Sequence, residues 1–153
     1  QLGIEQKEAA QFIRAYFERY RGVKDYLDRT LEETRKSGVA RTLFGRVRPI
    51  PEITSPQVQL RNFAERAALN SPLQGTAADL IKLAMIGIDR RIAAEKLEAH
   101  MILQVHDELL FELPPRERDA LSALVREEME GVYKLKVPIQ VDLKSGPNWR
   151  DLE

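Results

Sequence analysis

Apolar residues first repeat at helical spacing. From Gln6 to Tyr20 they fall at Ala9, Phe12, Ile13, Tyr16, Phe17 and Tyr20, which predicts an amphipathic helix ending near Gly22, its aromatic stripe expected in the core, with a stacking row for nucleic-acid bases as the alternative. A second helical segment, about Lys24 to Lys36, is predicted to stop at Gly38. The runs VARTLFG and RVRPIPEI then switch to β-favouring residues around Gly45. They predict a short hairpin with projecting arginines, kept out of a central sheet position by Pro49 and Pro51. Ser55-Pro56 predicts the start of a long helix, with the serine as N-cap and the proline at the first helical position. At Ser71-Pro72 that helix is expected to kink or restart. Farther on, Leu80, Ile81, Leu83, Ala84, Ile88 and Ile92 predict a buried stripe.

Two apolar runs, MILQV and LLFEL, read as a strand pair with His106, Asp107 and Glu108 at its turn. Pro114-Pro115 opens a further helix to about Glu130, VPIQVDLKS reads as a last strand, and GPNW closes the chain. Helix, hairpin, long helix, hairpin, helix and strand in that order give an α+β fold with an antiparallel sheet. No internal repeat or low-complexity tract interrupts it.

Composition narrows the class. With 153 residues, 43% of them apolar and 31% charged, the chain reads as one globular domain and not as a disordered or membrane segment. Its first residues lack the basic start and apolar core of a secretion signal. The absence of cysteine excludes disulfides and thiolate metal sites. Two histidines are too few for a multi-histidine metal centre or a histidine–aspartate metal phosphohydrolase. Net charge is zero, yet Arg35, Lys36, Arg41, Arg46, Arg48, Arg61 and Arg66 face only Glu52 and Glu65 across that stretch. Such a local excess makes either a positive patch for a polyanion or a set of scattered, solvated arginines.

Three constellations carry possible chemistry. In QVHDELLFE, Asp107 and Glu108 are either ordinary turn residues or carboxylates offered to a divalent cation, with His106 beside a substrate or simply packed. Neighbouring strand residues point to opposite faces, so the two acids are not expected to grip one ion equally. A two-metal site needs at least one more carboxylate. Asp142 on the predicted last strand is one candidate, or else a solvated residue of a strand edge. In RNFAERAALNSPLQGTAAD, Arg66, Asn70 and Gln74 lie four apart, within an arc of roughly 80° on a straight helix. Donors in such a row suit the acceptors of the DNA minor groove. Equally, Ser71-x-x-Gln74 fits a capping box, and Arg66 could pair near Glu65 or with solvent. Third, Arg41, Arg46 and Arg48 on a β-ribbon suit phosphate contacts, or else form a charged edge that blocks strand-on-strand association.

Together, TLFGRVRPIPEI, AERAALNSPLQGTAADLIKLAM and QVHDELLFE resemble the family A DNA polymerases, of the bacterial DNA polymerase I type. YFERYRGVKDYLD and the closing GPNW extend the resemblance over essentially the whole chain. The resemblance implies an antiparallel palm sheet whose catalytic hairpin packs against long helices. It also implies residues 1–55 as partial fingers with the arginine hairpin, and residues 56–153 as the long helix and the rest of the palm. It assigns Asp107 to the catalytic metals, Glu108 to a supporting acidic position and His106 to the primer terminus. Arg66, Asn70 and Gln74 match residues lining the primer–template minor groove. Arg46 and Arg48 fall in a DNA-contacting segment, with Val47 interrupting the arginine run.

The implied cofactor is Mg²⁺, two ions in the complete site, and the implied partners are primer–template DNA and dNTP. The implied location is cytoplasmic, with no membrane partner. The first catalytic motif, with the other metal-binding aspartate, is not in this sequence, nor is the nucleotide-binding fingers helix. Gln1 is expected to begin just after that helix, so an upstream segment, in the same polypeptide or in a partner chain, is expected to supply the missing acid. The expected function is template-directed DNA synthesis in the complete enzyme. A non-catalytic nucleic-acid-binding module and a split polymerase subunit are its rivals.

Overall fold

The computed structural model, which describes residues 6–152, turns the first helical patterns into α1 (Gln6–Arg19) and α2 (Arg21–Ser37). The break falls at Tyr20, and Gly22 lies inside α2 instead of ending a helix. Gly38 ends α2 as expected: at φ +71° it adopts the left-handed conformation and returns its N–H to the Thr34 carbonyl. The α1 stripe differs from expectation. Phe12, Ile13, Tyr16 and Tyr20 are 65, 59, 49 and 48% exposed, so they are surface and not core, with Phe17 half-buried. Tyr16 instead meets Phe17 edge-on and Tyr20 at a tilt, at centroid separations of 5.4 and 5.0 Å. Periodicity reports that a helix has an apolar face; it does not report what covers that face.

The chain divides into two compact units, residues 1–76 and 77–153. In the first, β1 (Val39–Arg41) and β2 (Val47–Pro49) form the expected antiparallel hairpin, with Ala40 opposite Arg48 and Arg41 opposite Val47. Gly45 at φ +82° closes its turn, where Thr42 accepts from the Gly45 amide and donates its own to Arg46. A 3-10 turn over Pro51–Thr54 follows. Ala40, Ile50, Ile53, Ala64 and Ala68 make the core of this unit, with Leu31 and Ala67 packed against it. Small alanines on the helix admit the hairpin and the 3-10 turn at close range.

The long helix α3 spans Val58–Glu95 without interruption. It starts three residues after Ser55, whose hydroxyl accepts from the Gln57 amide and so caps a preceding turn and not the helix itself. Pro72 sits inside α3, so the restart expected there does not occur. At its far end Lys96 takes φ +55°, and the Leu97 amide reaches back to the Ile92 carbonyl, a Schellman closure with the two apolar side chains in one cluster. Of the stripe predicted on α3, Ile81, Ala84 and Ile88 are buried and Leu80 and Ile92 half-buried, while Leu83 is 43% exposed.

In the second unit, β3 (His100–Val105) and β4 (Glu108–Glu112) form the second antiparallel hairpin. Its register slips between Met101 and Leu103, leaving Ile102 as an extra residue in β3. Helix α4 (Arg118–Gly131) follows a 3-10 turn over Pro115–Glu117, close to the predicted span. Ile88, Ala99, Leu121, Leu124 and Val125 form the core, with Met101, Leu109 and Phe111 packed on it from the hairpin. Arg91 of α3 joins Glu127 of α4 at 2.6 Å and Glu95 at 2.8 Å; these hydrogen bonds hold its guanidinium above its ordinary pKa. The predicted last strand is absent among the described residues: VPIQVDLKS has no ladder partner. Its backbone is held by side chains instead, the Val141 amide donating to Glu130 and the Val141 carbonyl accepting from Arg126, while Leu143 reaches the core. The α+β class therefore stands, built from two separate hairpins.

Candidate nucleic-acid interface and acidic hairpin tip

In the first unit, α3 presents Arg66, Asn70 and Gln74 on successive turns, all exposed. No other described residue engages their side chains. Two of the local alternatives, the capping box and a pairing of Arg66 beside Glu65, lose their basis, while a solvated Arg66 stands. Glu65 is taken by Arg35 at 2.7 Å, and Arg66 has no ion-pair partner among the described residues. A capping box at Ser71 needs a helix N-terminus, but α3 runs on, and the Ser71 hydroxyl donates to the Ala67 carbonyl at 2.5 Å.

The arginine hairpin is fastened to this helix and does not project as expected. Arg46 donates to the Gly75 carbonyl at 2.9 Å, Arg48 to Ser71 Oγ at 3.2 Å, and the Leu43 amide to Thr76 Oγ1 at 2.9 Å. Thr76 in turn donates to the Pro72 carbonyl. Gly75 makes the approach possible: a Cβ there would lie 2.5 Å from Thr42 Cγ2. Between ribbon and helix lies a recess of about 220 Å³ bordered by Thr42, Arg46, Arg48, Ser71, Gln74 and Gly75. The structure thus brings Arg46, Arg48 and Gln74 together. Arg41 is set apart, because it pairs with Val47 while Arg48 pairs with Ala40, which puts them on opposite faces of the ribbon. Thr42, Ser71, Gly75 and Thr76 were not singled out as hairpin contacts from the sequence. The signal was present as a glycine and two hydroxyl residues inside a helical run, where each lowers helix propensity.

In the second unit, His106 and Asp107 form a two-residue turn, with Val105 opposite Glu108. His106 holds φ +54°, a left-handed value uncommon outside glycine, and its carbonyl accepts from the Gln104 side chain at 3.1 Å. Asp107 lies in the turn and not in the strand, so strand alternation does not by itself separate its carboxylate from that of Glu108. All three side chains are exposed, and neither carboxylate receives a hydrogen bond from a described residue. Asp142 is exposed in the segment beside Val141. Among the described residues no three His, Cys, Asp or Glu side chains are grouped closely enough to hold a metal ion.

The strained φ makes the tip testable. His106→Val is expected to lower stability by about 1–2 kcal/mol, because a branched Cβ is disfavoured in the left-handed region, whereas His106→Gly is expected to lower it little or not at all. Thermal unfolding of the two variants checks this; equal losses would exclude strain at the tip.

A family model described as DNA polymerase family A matches residues 1–151. DNA polymerase I of Caldicellulosiruptor bescii is 51% identical over 97% of this chain, and that of Mycobacterium tuberculosis 50% identical over 97%. DNA polymerase I of Bacillus subtilis is 48% identical over 98%. The chain spans 17, 16 and 17% of the lengths of these curated relatives. Among solved structures, the POL domain of Pol1 from M. smegmatis, in complex with DNA primer-template and dNTP, aligns with a TM-score of 0.94 at 46% identity. That alignment covers 99% of this chain and 27% of the other. No described helix is long and apolar enough to cross a membrane. With nearly every residue inside the match, the chain belongs to DNA polymerase family A.

Proposed function

We propose that this chain is the part of a DNA-directed DNA polymerase that holds the primer–template minor groove and supplies one side of a two-magnesium site. The complete enzyme would join a deoxynucleotide to a primer 3′-hydroxyl with release of pyrophosphate. The observation that carries this reading is Asp107, exposed and unengaged at a hairpin tip, in a chain matched along 97% of its length by DNA polymerase I.

The residues present suit magnesium, which takes oxygen ligands and commonly uses one or two carboxylates plus substrate phosphates. Asp107 would be the principal ligand from this chain and Glu108 a supporting one. A further carboxylate would come from an upstream segment, since no grouped third ligand exists among the described residues. When bound, the ions supply neutralisation of phosphate charge and activation of the attacking hydroxyl.

The chain's own residues do the positioning. Arg66, Asn70 and Gln74 donate hydrogen bonds to purine N3 and pyrimidine O2, acceptors present at every base pair, so the row senses pair geometry without reading sequence. Arg46 and Arg48 contact backbone phosphates, which fixes register. Arg41, on the other ribbon face, has at most a separate phosphate contact. His106 is held beside the primer terminus by its turn. In this reading residues 1–55 belong to the fingers side and 56–153 to the long helix and palm of a cytoplasmic enzyme.

Purified alone, the chain is expected to bind primer–template duplex in a strongly salt-dependent way. It is also expected to incorporate no nucleotide until an upstream segment carrying the first-motif aspartate is added. Robust incorporation by the chain alone would overturn the divided metal site. Duplex binding with no gain from the added segment would leave a DNA-binding module.

A further inference from the structure

We infer that Ser71 is a positioning residue for Arg48 in duplex binding, an inference that rests on the proposed contact between the arginine hairpin and DNA. Ser71 is 8% exposed in the middle of α3, next to Pro72. A serine is a poor choice there for the helix alone. It has lower propensity than alanine, and a hydroxyl bonded to the carbonyl four residues back slightly destabilises and bends a helix.

The hydroxyl's geometry supplies a different use. Its proton is committed to the Ala67 carbonyl at 2.5 Å, so toward the ribbon Oγ can only accept. What it accepts is one N–H of Arg48, at 3.2 Å. The guanidinium has five N–H donors, and Ser71 takes one. The remaining edge is left for the bidentate pairing that guanidinium makes with phosphate. The anchored head group and the Gln74 side chain border the same recess, so the relay from Ala67 through Ser71 to Arg48 ties the phosphate contact to the groove-facing row. Arginine is long and rotamer-rich, and ordering such a side chain before binding removes a penalty otherwise met on binding.

The test is a double-mutant cycle on duplex affinity, measured with the purified chain and a labelled primer–template at fixed salt, with circular dichroism confirming helix content. Ser71→Ala is expected to weaken binding about two- to tenfold, the scale of immobilising one such side chain. Arg48→Ala is expected to weaken it further. In the Arg48→Ala background, Ser71→Ala is expected to have no additional effect; with Arg48 present, Ser71→Thr, which keeps the hydroxyl, is expected to retain most of the affinity that Ser71→Ala loses. A Ser71 acting only through the helix would weaken binding equally in both backgrounds, and that result, or no effect of Ser71→Ala at all, overturns the inference. Failure of the unmodified chain to bind duplex instead overturns the DNA contact itself, and the inference with it.

Discussion

Asp107→Ala in the complete polymerase is expected to lower primer extension by about 10³-fold or more, the scale of removing a group that stabilises charge in the transition state. Primer–template affinity is expected to stay within about twofold, because apart from His106 the DNA-facing groups of the proposal lie on α3 and the arginine ribbon. The substitution is a clean probe because Asp107 is exposed and bonded to no described residue. Surface changes of that kind usually alter stability by no more than about 0.5 kcal/mol. Single-turnover extension alongside duplex titration separates the two quantities. Asp107→Asn sharpens the result: it keeps size and a carbonyl oxygen but removes the charge, so a comparable loss assigns the effect to the carboxylate. Near-normal turnover in either variant would remove Asp107 from the reaction.

The second large effect is structural in origin. Gly75→Ala places a methyl 2.5 Å from Thr42 Cγ2, well inside van der Waals contact, and the β-branched threonine has little freedom to turn away. Either ribbon or helix must yield, at about 1–3 kcal/mol for overpacking of this kind. Yielding would draw Arg46 from the Gly75 carbonyl and the Leu43 amide from Thr76, so the proposed duplex affinity is expected to fall together with the melting temperature. Thr42→Ser deletes the clashing methyl while keeping the hydroxyl that accepts from the Arg46 amide. The double variant Thr42→Ser/Gly75→Ala is therefore expected to recover most of both losses. If it does not, contact between the methyls is not what glycine avoids at this position.

Elements with local causes were legible in the sequence. The Gly38 stop, the hairpin around Gly45, α4 after its proline pair and the strand pair flanking His106 and Asp107 all follow from turn chemistry and periodicity. What failed depended on neighbours that no local pattern specifies. The α1 aromatics had the right period for a core but are exposed. VPIQVDLKS had strand composition, yet Arg126 and Glu130 hold its backbone where a ladder would have been. Ser71-Pro72 looked like a helix start because capping residues carry the same letters as back-bonding ones. Of the candidate site, the four-residue spacing of Arg66, Asn70 and Gln74 was visible from helix geometry alone. The separation of Arg41 from Arg48 was not, since it depends on a strand register that only the pairing reveals.

The unpaired Ile102 acts as a phase shifter for everything beyond it. Because of that one residue, Met101 and Gln104 share a face of the hairpin through their partners Phe111 and Leu109, although they are an odd number of positions apart. Deleting Ile102 itself would leave the pairs on either side of it in place and remove only the bend and added twist of a bulge, whereas deleting a paired neighbour such as Leu103 would put the wrong faces together. The hairpin should therefore tolerate loss of Ile102 far better than loss of either paired neighbour.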